Sequence, residues 1–346
     1  NPYDKNGNPI LVQTYEGSKN LGYSVNSEGN RKSYLEASLN YSRAFGEHRV
    51  GALILYNQED KVETFKNTTI LQGLPYRSRG IAGRATYSWA DKYFGEFNVG
   101  YNGSENFSPS KRYGTFPAFG LGWVPSNEAF WQPIRNVVSF FKIRYTNGFI
   151  GNQATPKRFL YLESLEYNGD RGYTWGNDRR NVDGYNVLNE AVDVSWEKSH
   201  KQDLGFDIKF MNDDISLVLD LYQERRKGIF LDRGAVPSFI GITSTPVGNL
   251  GIVDNKGIEL DLEYNKQVNK DLFLTLRGNF TYAQNKVIEN DQPEQMYPWM
   301  NRRGYNTLAT WGLIADGLYT QSEIDQINTW EALSEAEKAN TARPFP

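Results

Sequence analysis

The chain has 346 residues, a formal net charge of −3 and no cysteine. The lack of cysteine excludes disulfide scaffolds, thiolate zinc sites and cysteine nucleophiles, and the small net charge argues against a nucleic-acid binder with a broad basic surface. Aromatic residues make up 14% of the chain and glycine contributes 32 residues, a composition typical of strands and turns. No segment approaches the ~18 apolar residues that mark a membrane-spanning helix, whereas strands that cross a membrane give only a weak alternating signal.

Residues 1–30 are expected to be an extracellular loop or a lead-in to the first strand. From residue 31 the sequence alternates: Leu35, Ala37, Leu39 and Tyr41 are separated by polar side chains. A period of two indicates a strand with one apolar and one polar face. After a turn at 45–48, the apolar run 50–56 predicts the second strand.

The same unit recurs along the chain. Alternating segments follow at 81–89, 93–101, 204–210, 215–221, 258–264 and 272–282. About eleven candidate strands of roughly 9–13 residues lie between residues 31 and 284, and soluble strands are usually shorter. The predicted length matches the ~9–11 residues with which a tilted strand crosses a bilayer.

The predicted connections alternate between short and long. Short links lie at 45–48, 90–92, 211–214 and 267–270, and long polar links lie at 57–78, 103–114, 147–194, 227–251 and 283–307. One link, 124–136, is of intermediate length. Short turns on one rim and long loops on the other are typical of outer-membrane barrels. The sequence therefore predicts an all-β antiparallel meander over residues 31–321 that forms part of such a barrel.

The tail, residues 322–346, has a different pattern. Ser322 and Ser334 are candidate N-caps for one or two short surface helices. The chain begins without a methionine and ends in polar sequence, so we expect it to be part of a longer protein.

Four stretches in this order resemble the SusC/RagA-type TonB-dependent outer-membrane transporters of the Bacteroidota, over about residues 31–325. The first is the turn Phe45-Gly46-Glu47-His48. The second is the segment 85–94 followed by Phe116-Pro117-Ala118-Phe119-Gly120-Leu121-Gly122-Trp123, and the third is the segment 196–207 followed by Asn255-Lys256-Gly257-Ile258-Glu259-Leu260. The fourth is Gly317-Leu318-Tyr319 followed by 322–325.

The resemblance implies a barrel of about 22 strands with an N-terminal plug, of which this chain would supply about half. It also implies import of oligosaccharides or peptides at the cell outer membrane, with membrane lipid around the barrel. Import would be energised by a TonB–ExbB–ExbD complex that acts through the missing N-terminal region, and a SusD-like surface lipoprotein would cover the long loops. The chain alone is not expected to close or to transport.

Aromatic and charged residues in two long links are the candidate ligand contacts. Aromatic faces beside hydrogen-bonding side chains suit sugar rings or peptide side chains, although the same rings also pack loops or contact a partner. The first group is Tyr173, Trp175, Arg179 and Tyr185, and the second is Trp299, Arg302 and Tyr305. We expect no catalytic residue, no cofactor and no metal, since His48 and His200 are far apart in sequence.

Two other readings remain open at this point. One is a secreted soluble β-sandwich or barrel that binds glycan, which would bury its apolar strand faces in a dry interior. The other is a β-rich glycoside hydrolase, which needs two carboxylates ~5–10 Å apart in a cleft.

Overall fold

The computed structural model describes residues 22–23, 29–63, 73–155, 158–176, 180–190, 192–234, 245–315 and 317–338. Ten of its strands form one antiparallel sheet in the order β1-β2-β3-β4-β5-β6-β9-β10-β11-β12. They are β1 (Asn30–Phe45), β2 (His48–Glu63), β3 (Tyr76–Trp89), β4 (Tyr93–Ser104), β5 (Tyr113–Trp123), β6 (Val138–Asn152), β9 (Glu197–Phe210), β10 (Ile215–Asp232), β11 (Val247–Gln267) and β12 (Phe273–Glu289). This confirms the predicted antiparallel meander. In the described part of the chain β1 and β12 are the edges of this sheet, so a closed barrel of about 22 strands stays a prediction.

The short connections all lie on one rim of the sheet. The turn between β3 and β4 places Ala90 and Asp91 at φ values of 53° and 54°, the left-handed conformation of tight hairpin turns. The intermediate link predicted at 124–136 is on the same rim, where it forms the 3₁₀ helices Pro125–Asn127 and Ala129–Ile134 between β5 and β6. The alternation of rims is therefore regular, and only the length of this one link departs from the pattern.

The two faces of the sheet differ in polarity, as the alternation predicts. The register places Leu39 beside Ile54 and Leu217 beside Leu262 on one face. Leu39 is 71% exposed and Ile54 is 60% exposed. A soluble sandwich would cover these side chains with a second sheet, whereas here the second sheet of the described residues has only two strands.

Aromatic side chains line the apolar face at the rim of short turns. The register joins His48, Trp89, Tyr93 and Trp123 in one row across four strands. The Trp89 ring stacks on Tyr93 with centroids 5.7 Å apart. Rings with polar edges collect at membrane–water interfaces, so this row has the character of an aromatic girdle.

Several strands run further than the sequence indicated. β11 has 21 residues and β10 has 18, so the predicted range of roughly 9–13 residues was too short. Polar cross-strand pairs continue the ladder beyond the apolar band: Arg225 Nε donates to Asp254 Oδ1 at 2.6 Å, and Arg77 Nε donates to Asp60 Oδ2 at 2.9 Å.

The long link between β6 and β9 contains a hairpin of its own. Strands β7 (Glu163–Trp175) and β8 (Arg180–Glu190) form the two-stranded sheet. A loop was expected throughout 147–194, but a hairpin allows part of a long insertion to satisfy its own backbone hydrogen bonds.

The chain forms two compact units, residues 1–306 and 307–346. The second contains helices α1 (Gln321–Glu331) and α2 (Glu335–Lys338). Ser322 was wrongly expected to cap the first helix: Thr320 is its N-cap, in a capping box with Glu323. The Thr320 backbone N–H donates to the Glu323 carboxylate and lowers the pKa of that group. In the described part of the chain, no helix is long and apolar enough to cross a membrane.

Candidate functional site

The polar face of the large sheet carries a charged cluster of Arg144, Asp207 and Asp220. Neighbouring strands β6, β9 and β10 supply one residue each. Nη2 of Arg144 donates to Oδ1 of Asp207 and to Oδ1 of Asp220, both at 2.9 Å. The cluster is partly buried, with exposed side-chain fractions of 30%, 26% and 25%. Charges withdrawn from water need partners, and here each carboxylate is paired with the guanidinium. Since the three residues lie on three strands, the bridge joins these strands across the wall.

Gly205 makes room for this bridge. It stands opposite Arg144 on β6 and opposite Asp220 on β10. A Cβ atom at Gly205 would lie 2.4 Å from Asp220 Oδ1 and 2.6 Å from Arg144 Cζ. Both charged groups therefore occupy the space that any larger residue at 205 would need.

Further charged groups continue the polar wall to both sides. On β11, Glu259, Asp261 and Glu263 share this face, and Glu263 Oε1 accepts from Arg277 Nη2 at 3.0 Å. On β3 and β4, Arg84 Nε donates to Asn98 Oδ1 at 2.9 Å. A wall of charged and amide side chains remains hydrated, as the lumen of a large barrel does.

A concavity of about 710 Å³ lies mainly along the polar wall of β2–β6. Glycines at the wall surface contribute to its depth, among them Gly51, Gly120, Gly122 and Gly148. The Gly120-x-Gly122 pair thus leaves space along the wall of the sheet. Its position on a strand also allows close approach of the neighbouring strand, since a Cβ at Gly122 would meet Phe94 Cβ at 3.3 Å.

A small apolar core holds the rim of long loops. It consists of Phe107, Phe116, Leu160, Val194 and Trp196, each no more than 8% exposed. The Trp196 ring packs against Phe107 and Phe116 with centroids 5.2 and 5.3 Å apart. The core joins the β4–β5 loop to both ends of the insertion that carries β7 and β8, so the base of the hairpin is fixed.

Polar contacts hold the C-terminal end of the insertion. Asn249 on β11 accepts from the Ser195 backbone N–H at 2.8 Å and donates to the Ser195 carbonyl at 2.9 Å. The indole N–H of Trp196 donates to the Arg112 carbonyl at 3.2 Å. Hydrogen bonds from Lys111 and Ser108 lower the pKa of Asp193, which keeps this carboxylate charged on the rim.

Arg158 holds the N-terminal end of the insertion. Its two terminal nitrogens donate to the Leu74 and Pro75 carbonyls at 2.5 and 2.7 Å. Its guanidinium carbon lies 3.7 Å from the centre of the Tyr76 ring. The insertion is therefore anchored to the β2–β3 connection at one end and to the β4–β5 loop at the other.

Three of the four ligand contacts predicted in the first group lie on the hairpin. Tyr173 stands opposite Val182, Trp175 opposite Arg180 and Tyr185 opposite Tyr167. Tyr173 is 67% exposed. The fourth, Arg179, lies outside the described residues, as does most of the predicted lead-in 1–30. Contact of this group with a ligand stays a prediction.

The second predicted group lies in one folded loop after β12. Trp299 stacks on Tyr297 with centroids 4.8 Å apart and planes 9° apart. The Arg302 backbone N–H donates to Gln292 Oε1 at 2.9 Å, and the Tyr305 carbonyl accepts from the Val287 N–H at 2.9 Å. The loop thus returns to the end of β12 and presents Trp299, which is 65% exposed.

Sequence reasoning did not find the roles of Arg144, Arg158 and Trp196. The alternation places Arg144 on the polar face, but its partners on β9 and β10 follow only from the register across a long insertion. Arg158 and Trp196 flank that insertion. The one signal in the sequence was a tryptophan at the end of a long polar link, because such a large ring is usually packed against other side chains. The two histidines lie on different strands: His48 begins β2, and His200 on β9 stacks on Phe149 with centroids 4.6 Å apart.

Comparison with known proteins agrees with this architecture. The family model described as "TonB dependent receptor-like, beta-barrel" matches residues 2–339. TonB-dependent receptor SusC of Bacteroides thetaiotaomicron is 30% identical over 208 residues, which are 60% of this chain and 20% of SusC. TonB-dependent receptor P3 of Formosa agariphila is 25% identical over 289 residues, 76% of this chain and 28% of the relative. Matches to this chain thus span between a fifth and a third of the length of these receptors.

Solved structures show the same fold. The RagAB peptide transporter aligns with a TM-score of 0.61 at 18% identity, over 80% of this chain and 34% of that one. The RagAB peptide importer in its closed-closed state gives 0.60 at 18% identity, over 80% and 33%. The exposed apolar band, the polar wall and the matched family model agree, and the chain belongs to the TonB-dependent receptor-like β-barrel family of the outer membrane, in its SusC/RagA-type branch.

Proposed function

We propose that the receptor to which this sheet belongs imports oligosaccharides or peptides across the outer membrane. The main support for this proposal is the difference between the two faces of the sheet. One face has an exposed apolar band, and the other has a charged wall that includes Arg144, Asp207 and Asp220. A polar solute that follows this wall is kept apart from the membrane interior. Selection then rests on the shape and lining of the passage, without covalent chemistry.

The proposal also includes the energy source for import and a partner protein at the cell surface. The family name supports coupling to a TonB–ExbB–ExbD complex, and likeness to SusC and to RagAB supports a SusD-like surface lipoprotein over the long loops. The anchored rim suits such a lid, because both ends of the β7–β8 insertion are held at fixed positions. Import belongs to the whole receptor, of which the matched part is a minor share of the length.

The substrate contacts are proposed on two parts of the rim. Tyr173, Trp175 and Tyr185 lie on the hairpin, and Trp299, Arg302 and Tyr305 lie in the loop after β12. Arg179, which is outside the described residues, is proposed with the first group. The stacked pair Tyr297–Trp299 offers an aromatic face against which a sugar ring or an apolar peptide side chain can lie.

Uptake by whole cells tests the import proposal. Cells with the complete receptor gene, or lacking it, are given labelled malto-oligosaccharides and a labelled mixture of short peptides, with TonB active or inactivated. We expect one probe class to enter only when both receptor and TonB are present. Equal uptake of both classes without the receptor would contradict the proposal.

Trp299→Ala tests the proposed contact. Loss of one stacking face is worth ~0.5–1.5 kcal/mol, so the half-saturating concentration of the imported probe should rise about twofold to tenfold. Met296→Ala is the matched control, because Met296 lies in the same loop and is 84% exposed. Equal effects of the two substitutions on the half-saturating concentration would show that Trp299 does not contact the substrate.

A further inference from the structure

The apolar face of the sheet ends in a sharp boundary towards the rim of long loops. Its last apolar row, read across β6, β9, β10, β11 and β12, is Tyr145, Leu204, Leu221, Ile258 and Tyr282. The next row on the same face is Asn147, Gln202, Gln223, Lys256 and Gln284. The row after that is Phe149, His200, Arg225, Asp254 and Lys286.

This polar zone holds more positive charge than the protein itself neutralises. Arg225 is paired with Asp254. Lys198, Lys227, Lys256 and Lys286 are exposed on this face and form no salt bridge with any described residue. Lys198 and Lys227 stand directly opposite each other on β9 and β10. Like charges in that position repel, and an anion bound beside them would remove the penalty.

The same zone contains a groove of about 840 Å³. Side chains of His200, Gln223, Arg225, Lys256 and Lys286 line it, and Tyr305 from the returning loop closes one side. Amide, guanidinium and ammonium donors line the groove together with two carboxylates, Asp254 and Glu224, which are paired with Arg225 and Arg226. Lys256 and Lys286 therefore remain as uncompensated cations, so the groove suits a ligand with phosphate and hydroxyl groups. We call these residues the lysine groove.

On the neighbouring strands β2 and β3, the arginines of this zone have partners within the sheet. On β2 and β3, beyond the apolar band, Asp60 pairs with Arg77. Arg79 donates to the Tyr113 hydroxyl at 2.6 Å. Among the described residues of this polar zone, the lysines without a salt bridge therefore lie on β9–β12.

The position of the groove identifies its partner. Long loops of outer-membrane barrels face outwards, so the groove lies where the apolar band meets the headgroups of the outer leaflet. A solute in the lumen does not reach this face, whereas lipid does. Basic clusters at such a boundary attract anionic lipid headgroups.

We propose that the lysine groove binds the phosphorylated sugar headgroup of lipopolysaccharide in the outer leaflet. Lys256 and Lys286 contact the phosphate, and the amide and hydroxyl groups of the groove contact the sugar. The lipid is then a fixed neighbour of the loop that carries Trp299. The inference rests on the outer-membrane location of the barrel and not on the import proposal, and uptake assays report on import separately.

Binding of purified lipid A to the complete receptor tests the proposal. The delipidated receptor in detergent is titrated with phosphorylated lipid A, with dephosphorylated lipid A and with inorganic phosphate, and the bound species are counted by native mass spectrometry. Each lysine near an anionic headgroup contributes roughly a fivefold change in affinity, so Lys256→Gln with Lys286→Gln should weaken binding of phosphorylated lipid A about twenty-five-fold. The pair of arginine substitutions at these positions should restore it.

The control removes two lysines from the rim of short turns, by Lys266→Gln near the end of β11 with Lys270→Gln in the turn before β12. Lys266 is paired with Asp214, so the control also shows what the loss of a salt bridge alone does. A heat-modifiable band on a gel shows that each variant is folded. Unchanged binding in the groove variant, an equal loss in the control, or equal binding of dephosphorylated lipid A would overturn the proposal. Tight binding of inorganic phosphate alone would also overturn it, because the site would then be a free-phosphate site.

Discussion

Gly205 shows how closely the charged groups of the polar wall approach one another. Arg144, Asp207 and Asp220 meet around a position with no side chain, and the single guanidinium serves two carboxylates. The centre of the wall is thus built from charges that are matched within the sheet. On β11, Glu263 is matched by Arg277, whereas Glu259 and Asp261 form no salt bridge with a described residue.

The first prediction concerns Gly205→Ala in the complete receptor. The added methyl group would lie 2.4 Å from Asp220 Oδ1, so the bridge must shift, and overpacking of this kind costs about 1–3 kcal/mol. We expect a lower midpoint of thermal unfolding, followed by circular dichroism in detergent.

Gly95→Ala is the control for this prediction. Nothing lies within 4 Å of a Cβ at Gly95, so its midpoint should stay close to that of the parent. A midpoint for Gly205→Ala that matches the control would show that the bridge tolerates a methyl group.

At the scale of residues, the sequence predicted which face each side chain takes and little of what it contacts. Side-chain direction alternates with every residue, so Arg144 and Asp207 belong to the polar face from the pattern alone. Their pairing requires the register of β6 against β9, and the β7–β8 insertion separates those strands. No local pattern carries that register.

At the scale of elements, the rim is organised by the insertion between β6 and β9. Its ends are fixed by Arg158 on one side and by Trp196 and Asn249 on the other. The hairpin that carries Tyr173 is thus held at its base, as a loop that contacts a ligand or a lid requires.

The second prediction concerns Trp196→Ala. Removal of a buried indole costs about 3–5 kcal/mol, and here the loss falls on the packing with Phe107 and Phe116. We expect the hairpin in the purified receptor to be cleaved faster by a protease added at low concentration. Trp196→Phe should give a smaller effect, because it keeps an aromatic ring in the core and loses only part of the ring area and the hydrogen bond to the Arg112 carbonyl.

Trp299→Ala serves as the control for cleavage. Trp299 is an exposed ring on another loop, so its loss should leave the hairpin as resistant as in the parent. If cleavage were unchanged in Trp196→Ala, the apolar core would not be what holds the hairpin.

The elements could be predicted in type better than in length. Alternation located the strands, and the turn at Ala90-Asp91 was evident from its residues. The strand ends were missed because polar ladders such as Arg225–Asp254 continue pairing after the apolar pattern has stopped. The helix start was missed by two residues, since both Thr320 and Ser322 are good caps and the capping box with Glu323 selects the first.

At the scale of the whole molecule, one sheet separates two environments. An apolar band with an aromatic row at one rim and a lysine groove beyond the other matches the layers of an outer membrane. The opposite face provides a charged wall for a polar passage. The resemblance found in the sequence is confirmed at this scale, whereas the substrate and the partner lid remain proposals for the complete receptor.

The most direct test of this account is the environment of two adjacent residues on β11. The chain contains no cysteine, so spin labels can be placed at Leu262→Cys and at Asp261→Cys in the complete receptor in lipid, with any cysteine outside this chain replaced. We expect the label at 262 to collide with dissolved oxygen and the label at 261 to collide with a water-soluble nickel chelate. A label at 262 that meets neither probe would place Leu262 in a dry protein interior and would contradict the membrane-facing band on which the account depends.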